Sequence, residues 1–268
     1  KTKFMLSTTA KDKPLGVQLL GCEPNFILRA LDILEKYEFD LLDFNAACPA
    51  KKVTRRGEGS SLLKDPKKLN QLLKLVVKNS SRPVSVKIRA GWDQDSLNAK
   101  EAALYAQDAG ITALFIHGRT KVQGYSGTVD YQVIKSVKEA LEIPVIASGD
   151  ILSAALAKKM FSETGCDGLA VARGSLGNPW IFREIPAFLK NDKILPRPDS
   201  QEVIRIMLEH LDMCADFYGE KIGVVIFRKF IAWYTRGFRK IRPLREKASR
   251  VKTKAEILKL SADFLSAN

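Results

Sequence analysis

Ser148-Gly149-Asp150 and Arg173-Gly174-Ser175 are two glycine-bearing turns, and each follows a short apolar run of the sequence. In a (β/α)8 barrel, phosphate tends to be held by the loops after the seventh and eighth strands and by a short extra helix. The two turns are therefore expected to be the phosphate-binding loops that follow the last two strands of such a barrel. A doubly wound nucleotide-binding sheet would instead carry G-x-G-x-x-G between its first strand and helix. The nearest approach, Gly57-Glu58-Gly59, has Leu62 where the third glycine would stand, so the barrel is favoured.

Upstream of residue 185 the chain alternates short apolar runs with longer amphipathic ones. The apolar runs are typical of buried parallel strands, and they are Gly16–Leu20, Leu41–Asn45, Val84–Arg89, Ala113–His117, Val145–Ala147 and Gly168–Ala172. Apolar residues three and four apart predict helices at Asn25–Tyr37, Lys67–Lys78, Leu97–Asp108, Tyr131–Ala140 and Ser153–Ser162. This alternation predicts an α/β fold with a parallel sheet.

From about Pro198 onward the pattern predicts helices only, the first of them capped by Ser200. We therefore predict a (β/α)8 TIM barrel over residues 1–190, followed by a small all-α helical domain over residues 198–268. A barrel needs eight strands and six are identifiable, while the chain begins at Lys1 rather than Met. The first two strand units are therefore expected to be absent from this chain.

Length and composition are those of a protein with a large core: 268 residues, of which 46% are hydrophobic. No apolar run reaches the roughly 18 to 20 residues that cross a bilayer, so no membrane association is expected. The four cysteines lack C-x-x-C spacing, which argues against a disulfide framework and against a zinc site. We expect no metal and a reducing, cytoplasmic location.

Positive charge is concentrated in two places. Between Lys221 and Lys254 there are twelve Lys and Arg against one acid, Glu246, a net of +11 in 34 residues of a chain whose net charge is +14. The second cluster, Lys51-Lys52 with Arg55-Arg56, follows Cys48. A small substrate does not need two such patches, so a nucleic-acid partner is favoured over an acidic membrane surface or a solvated helix face.

A helical wheel places part of the first patch on one face. Arg228, Lys229, Arg236 and Arg239 lie opposite Phe227 and Tyr234, provided that the helix continues past Gly237.

The stretch Asp43-Phe44-Asn45-Ala46-Ala47-Cys48-Pro49 places a lone thiol at the carboxyl end of a predicted strand. In a barrel that end carries the chemistry, so Cys48 is a candidate proton donor or nucleophile; packing as a small hydrophobe is the alternative. A thiol with an ordinary pKa near 8.5 is largely protonated at neutral pH and can donate. Asn45 can hydrogen-bond a polar ring, or it can simply end the strand.

Two further strands carry polar residues where apolar ones are expected. Lys87 lies inside the apolar run Val84–Arg89, and a lysine is almost never fully buried unless it is paired, so it needs an anionic partner. Arg89 faces the same side and is a candidate contact to a cofactor or to RNA. His117 ends the next strand, where a satisfied core histidine is the ordinary alternative.

Six ordered motifs resemble those of the tRNA-dihydrouridine synthases, FMN enzymes that reduce a uridine in tRNA. They are Gly16–Gly21, Asn45–Leu63, Val86–Trp92, Ile116–Thr120, Ala147–Ile151 and Ala172–Trp180. Arg228–Tyr234 is similar to part of the family's carboxyl-terminal helical domain. The resemblance covers nearly the whole chain and is nearest to the bacterial B-type branch.

The resemblance implies hydride transfer from a tightly bound FMN to C6 of the uracil, protonation of C5 by Cys48, and NADPH as the transient reductant. It implies cofactor contacts for Gln18, Lys87, His117, Ser148, Gly149, Asp150, Ala172 and Arg173. The substrate contacts that we predict are Asn45, Arg89, Lys51, Lys52, Arg55, Arg56, Arg228, Lys229, Arg236 and Arg239.

This chain departs from the family's pattern at a few positions. The family usually has Asn at position 148 and Gly at position 172, so Ser148 and Ala172 lead us to expect weaker retention of FMN. Ala46-Ala47 replaces a commoner Met-Gly before the cysteine.

Two other classes of function stay open. One is another FMN-dependent barrel oxidoreductase that acts on a small molecule, similar to dihydroorotate dehydrogenase, which would not need the basic helices. The other is an RNA-binding protein that holds no flavin, which would be colourless and unaffected by loss of Cys48. For the tRNA-dihydrouridine synthase interpretation, a monomer is expected.

Overall fold

A computed structural model of the chain describes residues 2–238 and 241–266. Its sheet has six strands, all parallel and hydrogen-bonded in sequence order. They are β1 Gly16–Leu19, β2 Leu41–Asn45, β3 Val84–Arg89, β4 Ala113–His117, β5 Val145–Ser148 and β6 Gly168–Ala170. A doubly wound sheet reverses its order at a switch point, whereas a barrel wall does not. The predicted fold class, an α/β barrel followed by helices, is confirmed.

Helices separate the strands and then continue alone. They are α1 Thr2–Met5, α2 Pro24–Leu34, α3 Lys51–Thr54, α4 Pro66–Asn79, α5 Ala99–Asp108, α6 Tyr131–Ala140, α7 Ala154–Thr164, α8 Ile181–Asn191, α9 Ser200–Tyr218, α10 Glu220–Tyr234, α11 Arg242–Ala248 and α12 Lys254–Ser266. Short 3₁₀ helices lie at Gly59–Lys64, Gln94–Ser96 and Arg173–Ser175. Within the described ranges, no helix combines the length and the apolar character needed to span a bilayer.

The two faces of the sheet differ in chemistry because side chains alternate along each strand. One face is fully buried and apolar, and it is formed by Leu42, Phe44, Val86, Ile88, Leu114 and Ile116. The other face carries polar side chains, among them Gln18, Asp43, Asn45, Ser85 and Lys87. In a barrel this second face is the interior, so the polar residues of the strands point toward the place where a barrel holds its ligands.

Contacts group the chain into two compact units, Lys1–Ile151 with Leu156–Val171 and Leu152–Ala155 with Ala172–Asn268. The predicted division at residues 190 and 198 stays a prediction. In the second unit, α9 and α10 share an apolar core that includes Val203, Met207, Leu211, Val224, Phe227 and Ile231.

The structure corrects two details of the helical part. The cap of α9 is Asp199, whose carboxylate accepts from the backbone N–H of Glu202, and Ser200 is the first helical residue. Helix α10 ends at Tyr234, and Gly237 adopts φ +83, which does not continue a right-handed helix. The condition for the predicted basic helix face, a helix that continues past Gly237, is therefore not met.

Candidate functional site

Cys48 lies on the loop after β2, half-buried and not in a disulfide, whereas the other three cysteines are buried. The side-chain oxygen of Asn45 accepts from the backbone N–H of Ala47 at 3.0 Å and of Cys48 at 2.9 Å. The Cys48 carbonyl accepts from the backbone N–H of Ser60 at 3.2 Å and from its hydroxyl at 2.9 Å. The backbone on both sides of the thiol is therefore fixed by hydrogen bonds.

Gly59 packs directly against Cys48, in a backbone conformation of φ +61. A Cβ at this position would lie 2.8 Å from the Cys48 carbonyl oxygen and 2.9 Å from its Cβ. Both the left-handed conformation and the close approach therefore require glycine. The paired glycines Gly57 and Gly59 are the sequence feature that marks this turn.

A chain of side-chain amides leads from a buried carboxylate to Cys48. The Gln18 amide nitrogen donates to Asp43 at 2.6 Å, and its oxygen accepts from the Asn45 amide nitrogen at 2.6 Å. An ionised carboxylate only accepts, so Asp43 fixes the orientation of Gln18, Gln18 fixes Asn45, and the Asn45 oxygen faces the N–H groups at Cys48. None of the sequence motifs identified Asp43 as a site residue.

The pKa of Asp43 is raised above its ordinary value. Burial is the main cause, and it outweighs the lowering effects of the hydrogen bonds from Gln18 and Ser85 and of the charge of Lys87. The Ser85 hydroxyl donates to the second Asp43 oxygen at 2.7 Å. Both carboxylate oxygens therefore have donors, as a buried acid requires.

Lys87 is the buried cation that the sequence predicted. Its ammonium donates to the Ser148 hydroxyl at 2.9 Å, and that hydroxyl donates to the Ile116 carbonyl at 3.0 Å. Burial lowers the pKa of Lys87 to about 8, against the effect of Asp43 and with a contribution from Arg89. The charge of Asp43 and the hydrogen bond to Ser148 offset only part of the cost of burial, so an anionic group beside the ammonium would be bound favourably.

His117 ends β4 with 9% of its surface exposed, and its Nδ1 is buried without a hydrogen-bond partner in the described chain. Burial lowers the pKa of His117 to about 3, helped by the charges of Arg89, Lys87 and Arg119. The imidazole is therefore neutral at physiological pH. A buried polar atom without a partner commonly marks a place where a ligand or water binds.

Arg89 is 3% exposed and ties three loop positions together. Its guanidinium donates to the carbonyls of Ala47 at 2.8 Å, Thr120 at 3.1 Å and Gly124 at 2.9 Å. These bonds hold the segment before Cys48 against the loop after β4. The predicted substrate contact of Arg89 stays a prediction, and its described bonds give it a positioning role.

Arg119, which was not predicted, holds the loop after β5. Its guanidinium pairs with both carboxylate oxygens of Asp150, at 3.1 and 2.5 Å, and donates to the carbonyls of Ser126 and Gly127. The adjacent Gly149 has φ +117, and a Cβ there would lie 2.7 Å from a methyl of Val129. The predicted phosphate turn is thus a tightly packed loop whose acid is already paired.

Ala172 and Arg173 lie in the second unit, at the start of a 3₁₀ helix. Ala172 has φ −121, outside the left-handed region, so this position does not require glycine conformation. Both side chains are exposed. The cofactor roles predicted for them stay predictions.

The basic residues predicted to bind RNA fall into two groups. In the first unit, Lys51, Lys52, Arg55 and Arg56 are all exposed on or just after α3, and Arg56 forms an ion pair with Glu58 at 2.6 Å.

In the second unit, the Arg228 guanidinium donates to the Val251 carbonyl, while Lys229 and Arg236 are exposed. Arg239 lies outside the described residues.

The interior residues of the first unit fit a flavin. Lys87 provides a buried cation for an anionic ring edge, and His117 provides a buried polar atom that needs a partner. Asn45 is the strand-register partner of Lys87, and its amide is bonded to that of Gln18.

Comparison with known proteins agrees with the motifs. The profile of one family, dihydrouridine synthase (Dus), matches residues 1–268. The tRNA-dihydrouridine synthase B of Pasteurella multocida is 42% identical over 237 residues, which are 88% of this chain and 71% of that protein. The tRNA-dihydrouridine synthase B of Pseudomonas aeruginosa is 41% identical over 234 residues, which are 87% of this chain and 70% of that protein. The protein of the same name from Xanthomonas axonopodis is 38% identical over 267 residues, which are 100% of this chain and 80% of that protein.

Proposed function

The chain belongs to the dihydrouridine synthase family, and we propose that it reduces a uridine of tRNA to 5,6-dihydrouridine, with FMN as its bound cofactor and NADPH as the reductant. The observation that carries the proposal is the position of Cys48. It is half-buried at the carboxyl end of a barrel strand, and Asn45, Ser60 and Gly59 fix its backbone. A group held in this way is suited to proton transfer at one defined atom.

The chemistry divides between cofactor and chain. FMN, when bound, would supply a hydride for C6 of the uracil. Cys48 donates its thiol proton to C5, which completes saturation of the C5=C6 bond, and solvent then reprotonates the sulfur. Asn45, oriented by Gln18, keeps the Cys48 backbone in place while the proton is transferred.

Lys87 and His117 would hold the flavin ring. The Lys87 ammonium, little compensated in the folded chain, would stabilise negative charge on the ring edge. His117 is a neutral donor or acceptor, because its pKa of about 3 excludes the imidazolium at neutral pH. Gln18, Ser148, Gly149, Asp150, Ala172 and Arg173 are the further cofactor contacts that we propose.

Binding of tRNA is supported by charge. The exposed cations Lys51, Lys52 and Arg55 lie on or just after α3, which closely follows Cys48, and Lys229 and Arg236 are exposed in the second unit. Clustered cations of this kind neutralise phosphates and bind RNA with little regard to sequence. The cytoplasmic location and the monomeric state stay predictions.

The test is to express the full-length chain, look for yellow bound flavin, and assay unmodified tRNA for NADPH-dependent dihydrouridine with wild type and Cys48→Ala. Product from wild type and none from the variant supports the proposal. A colourless protein, or turnover of orotate-like compounds with no action on tRNA, would overturn it.

A further inference from the structure

The indole ring of Trp92 has two lysine ammonium groups against it. The Lys64 nitrogen lies 3.6 Å from the ring centroid and the Lys121 nitrogen lies 4.3 Å from it. The two nitrogens cannot be further apart than the sum of these distances, which does not exceed the Debye length of about 8 Å at physiological ionic strength. The two charges therefore repel each other across a gap that salt screens only in part.

Backbone hydrogen bonds hold Lys121 beside Trp92. The N–H of Lys121 donates to the Gly91 carbonyl at 2.9 Å, and the N–H of Val122 donates to the Trp92 carbonyl at 2.9 Å. The loop after β4 is thus paired with the loop after β3 at the position of the ring.

Lys64 is held from the other side. It ends the 3₁₀ helix Gly59–Lys64, and the carbonyl of the preceding residue, Leu63, accepts from the Asn98 amide at 2.6 Å. Asn98 directly precedes α5, so this bond ties the segment after Cys48 to the segment after Trp92.

Neither ammonium has an acidic partner in the described chain. The described ion pairs and side-chain hydrogen bonds do not involve Lys64 or Lys121, although acids pair with Lys74 and Lys138 elsewhere in the same unit. The indole ring stabilises each cation by cation–π attraction but does not neutralise it. The pair is therefore a ready site for an anion that can accept from two donors.

All three residues follow strand ends on the side of the sheet that carries Cys48. Lys64 closes the 3₁₀ helix that begins at Gly59, Trp92 follows β3 and Lys121 follows β4. The carboxyl ends of the strands form the substrate face of a barrel.

We propose that Lys64 and Lys121, held on the ring of Trp92, form a clamp for one backbone phosphate of the tRNA substrate. The clamp rests on the proposed function, and it adds a contact outside the two basic groups already described. A phosphodiester offers two unesterified oxygens to two ammonium donors, and the contact reads no base. It helps to set the register in which the tRNA lies across the face that carries Cys48.

The test measures the affinity of the full chain for unmodified tRNA between about 50 and 200 mM salt. For the variant Lys64→Ala/Lys121→Ala, we expect weaker binding to all tRNAs and a plot of log affinity against log salt that is shallower by about 1, because one phosphate is no longer neutralised. The matched control is Lys36→Ala/Lys78→Ala. These exposed lysines precede β2 and β3, at the opposite edge of the sheet, and their removal should leave the slope unchanged.

Thermal unfolding of both variants shows whether the clamp lysines act only on stability. If the clamp variant has the same salt slope as wild type, with or without a lower melting temperature, the clamp is overturned. The proposed function stands in that case as long as wild type forms dihydrouridine. If wild type neither bound tRNA in a salt-dependent way nor formed dihydrouridine, the proposed function would fail and the clamp with it.

Discussion

Lys87→Met should make the cofactor-free protein more stable while abolishing its function. The ammonium of Lys87 is buried, and its pKa of about 8 lies below the ordinary value of 10.5. Such a depression means that the folded state binds the proton less well than the unfolded state does. The charged form therefore costs stability at neutral pH.

The size of the effect follows from the pKa difference. At about 1.4 kcal/mol for each pKa unit, the buried charge costs the fold about 3 kcal/mol at pH 7. Loss of the hydrogen bond to Ser148 offsets about 1 kcal/mol of the gain. We expect the methionine variant to be more stable than wild type by about 2 kcal/mol.

The pH dependence of stability tests independently whether Lys87 destabilises the folded state. Between the folded pKa of about 8 and the unfolded value of 10.5, the unfolded chain binds more protons, so wild-type stability rises with pH in this window. From about pH 7 to pH 9.5, wild type should gain about 2 kcal/mol relative to Lys87→Met.

The assay is urea unfolding of flavin-free protein at both pH values, because bound ligand would add its own stabilisation. Lys78→Met, at an exposed position of α4, is the matched control and should be nearly neutral. A Lys87→Met variant that is less stable than wild type at pH 7, or a difference that does not change with pH, would refute the reasoning.

Three further substitutions test the site. His117→Gln should resist acid better than wild type. Because the pKa of His117 is lowered to about 3 in the folded state, wild type should lose about 2 to 3 kcal/mol of stability by about pH 4.5. The difference between the urea midpoints of the two proteins measures this loss, and equal acid sensitivity would contradict the prediction. Gly59→Ala should lose more stability than Gly165→Ala, since both have positive φ but a Cβ at 165 meets nothing within 4 Å; equal losses would show that the contact with Cys48 is unimportant. Asp43→Asn should change the rate at which iodoacetamide alkylates Cys48, because it disturbs the hydrogen bonds that lead from Asp43 to Cys48. It should also lower kcat, with a smaller effect on KM. An unchanged alkylation rate would argue against the chain of amides.

The strands were predictable because each coincides with a short run of the sequence that is rich in apolar residues. Strands β2, β3 and β4 agree with the sequence prediction residue for residue. The helical periodicity of the sequence does not show where a helix ends. A helical wheel would continue α10 past Gly237, but this residue has φ +83, which is not a right-handed helical conformation. A helical wheel assumes the very continuity that this glycine removes.

The candidate site was predictable in its residue types and not in its connections. Cys48, Lys87 and His117 stand out because a polar or reactive group interrupts or ends an apolar run. The bond from Gln18 to Asp43 depends on the register that places these two residues side by side, and the Arg119–Asp150 pair joins residues 31 positions apart. Such contacts are set by tertiary structure, which a single sequence does not display.

The thiol of Cys48 is the centre of the account, and single-turnover formation of dihydrouridine on unmodified tRNA tests it most directly. With Cys48→Ala, we expect the rate to fall at least about 100-fold, the usual contribution of a positioned acid, while tRNA affinity and NADPH-dependent bleaching of the flavin stay as in wild type. A variant that forms dihydrouridine at the wild-type rate would contradict the assignment of Cys48 as the proton donor.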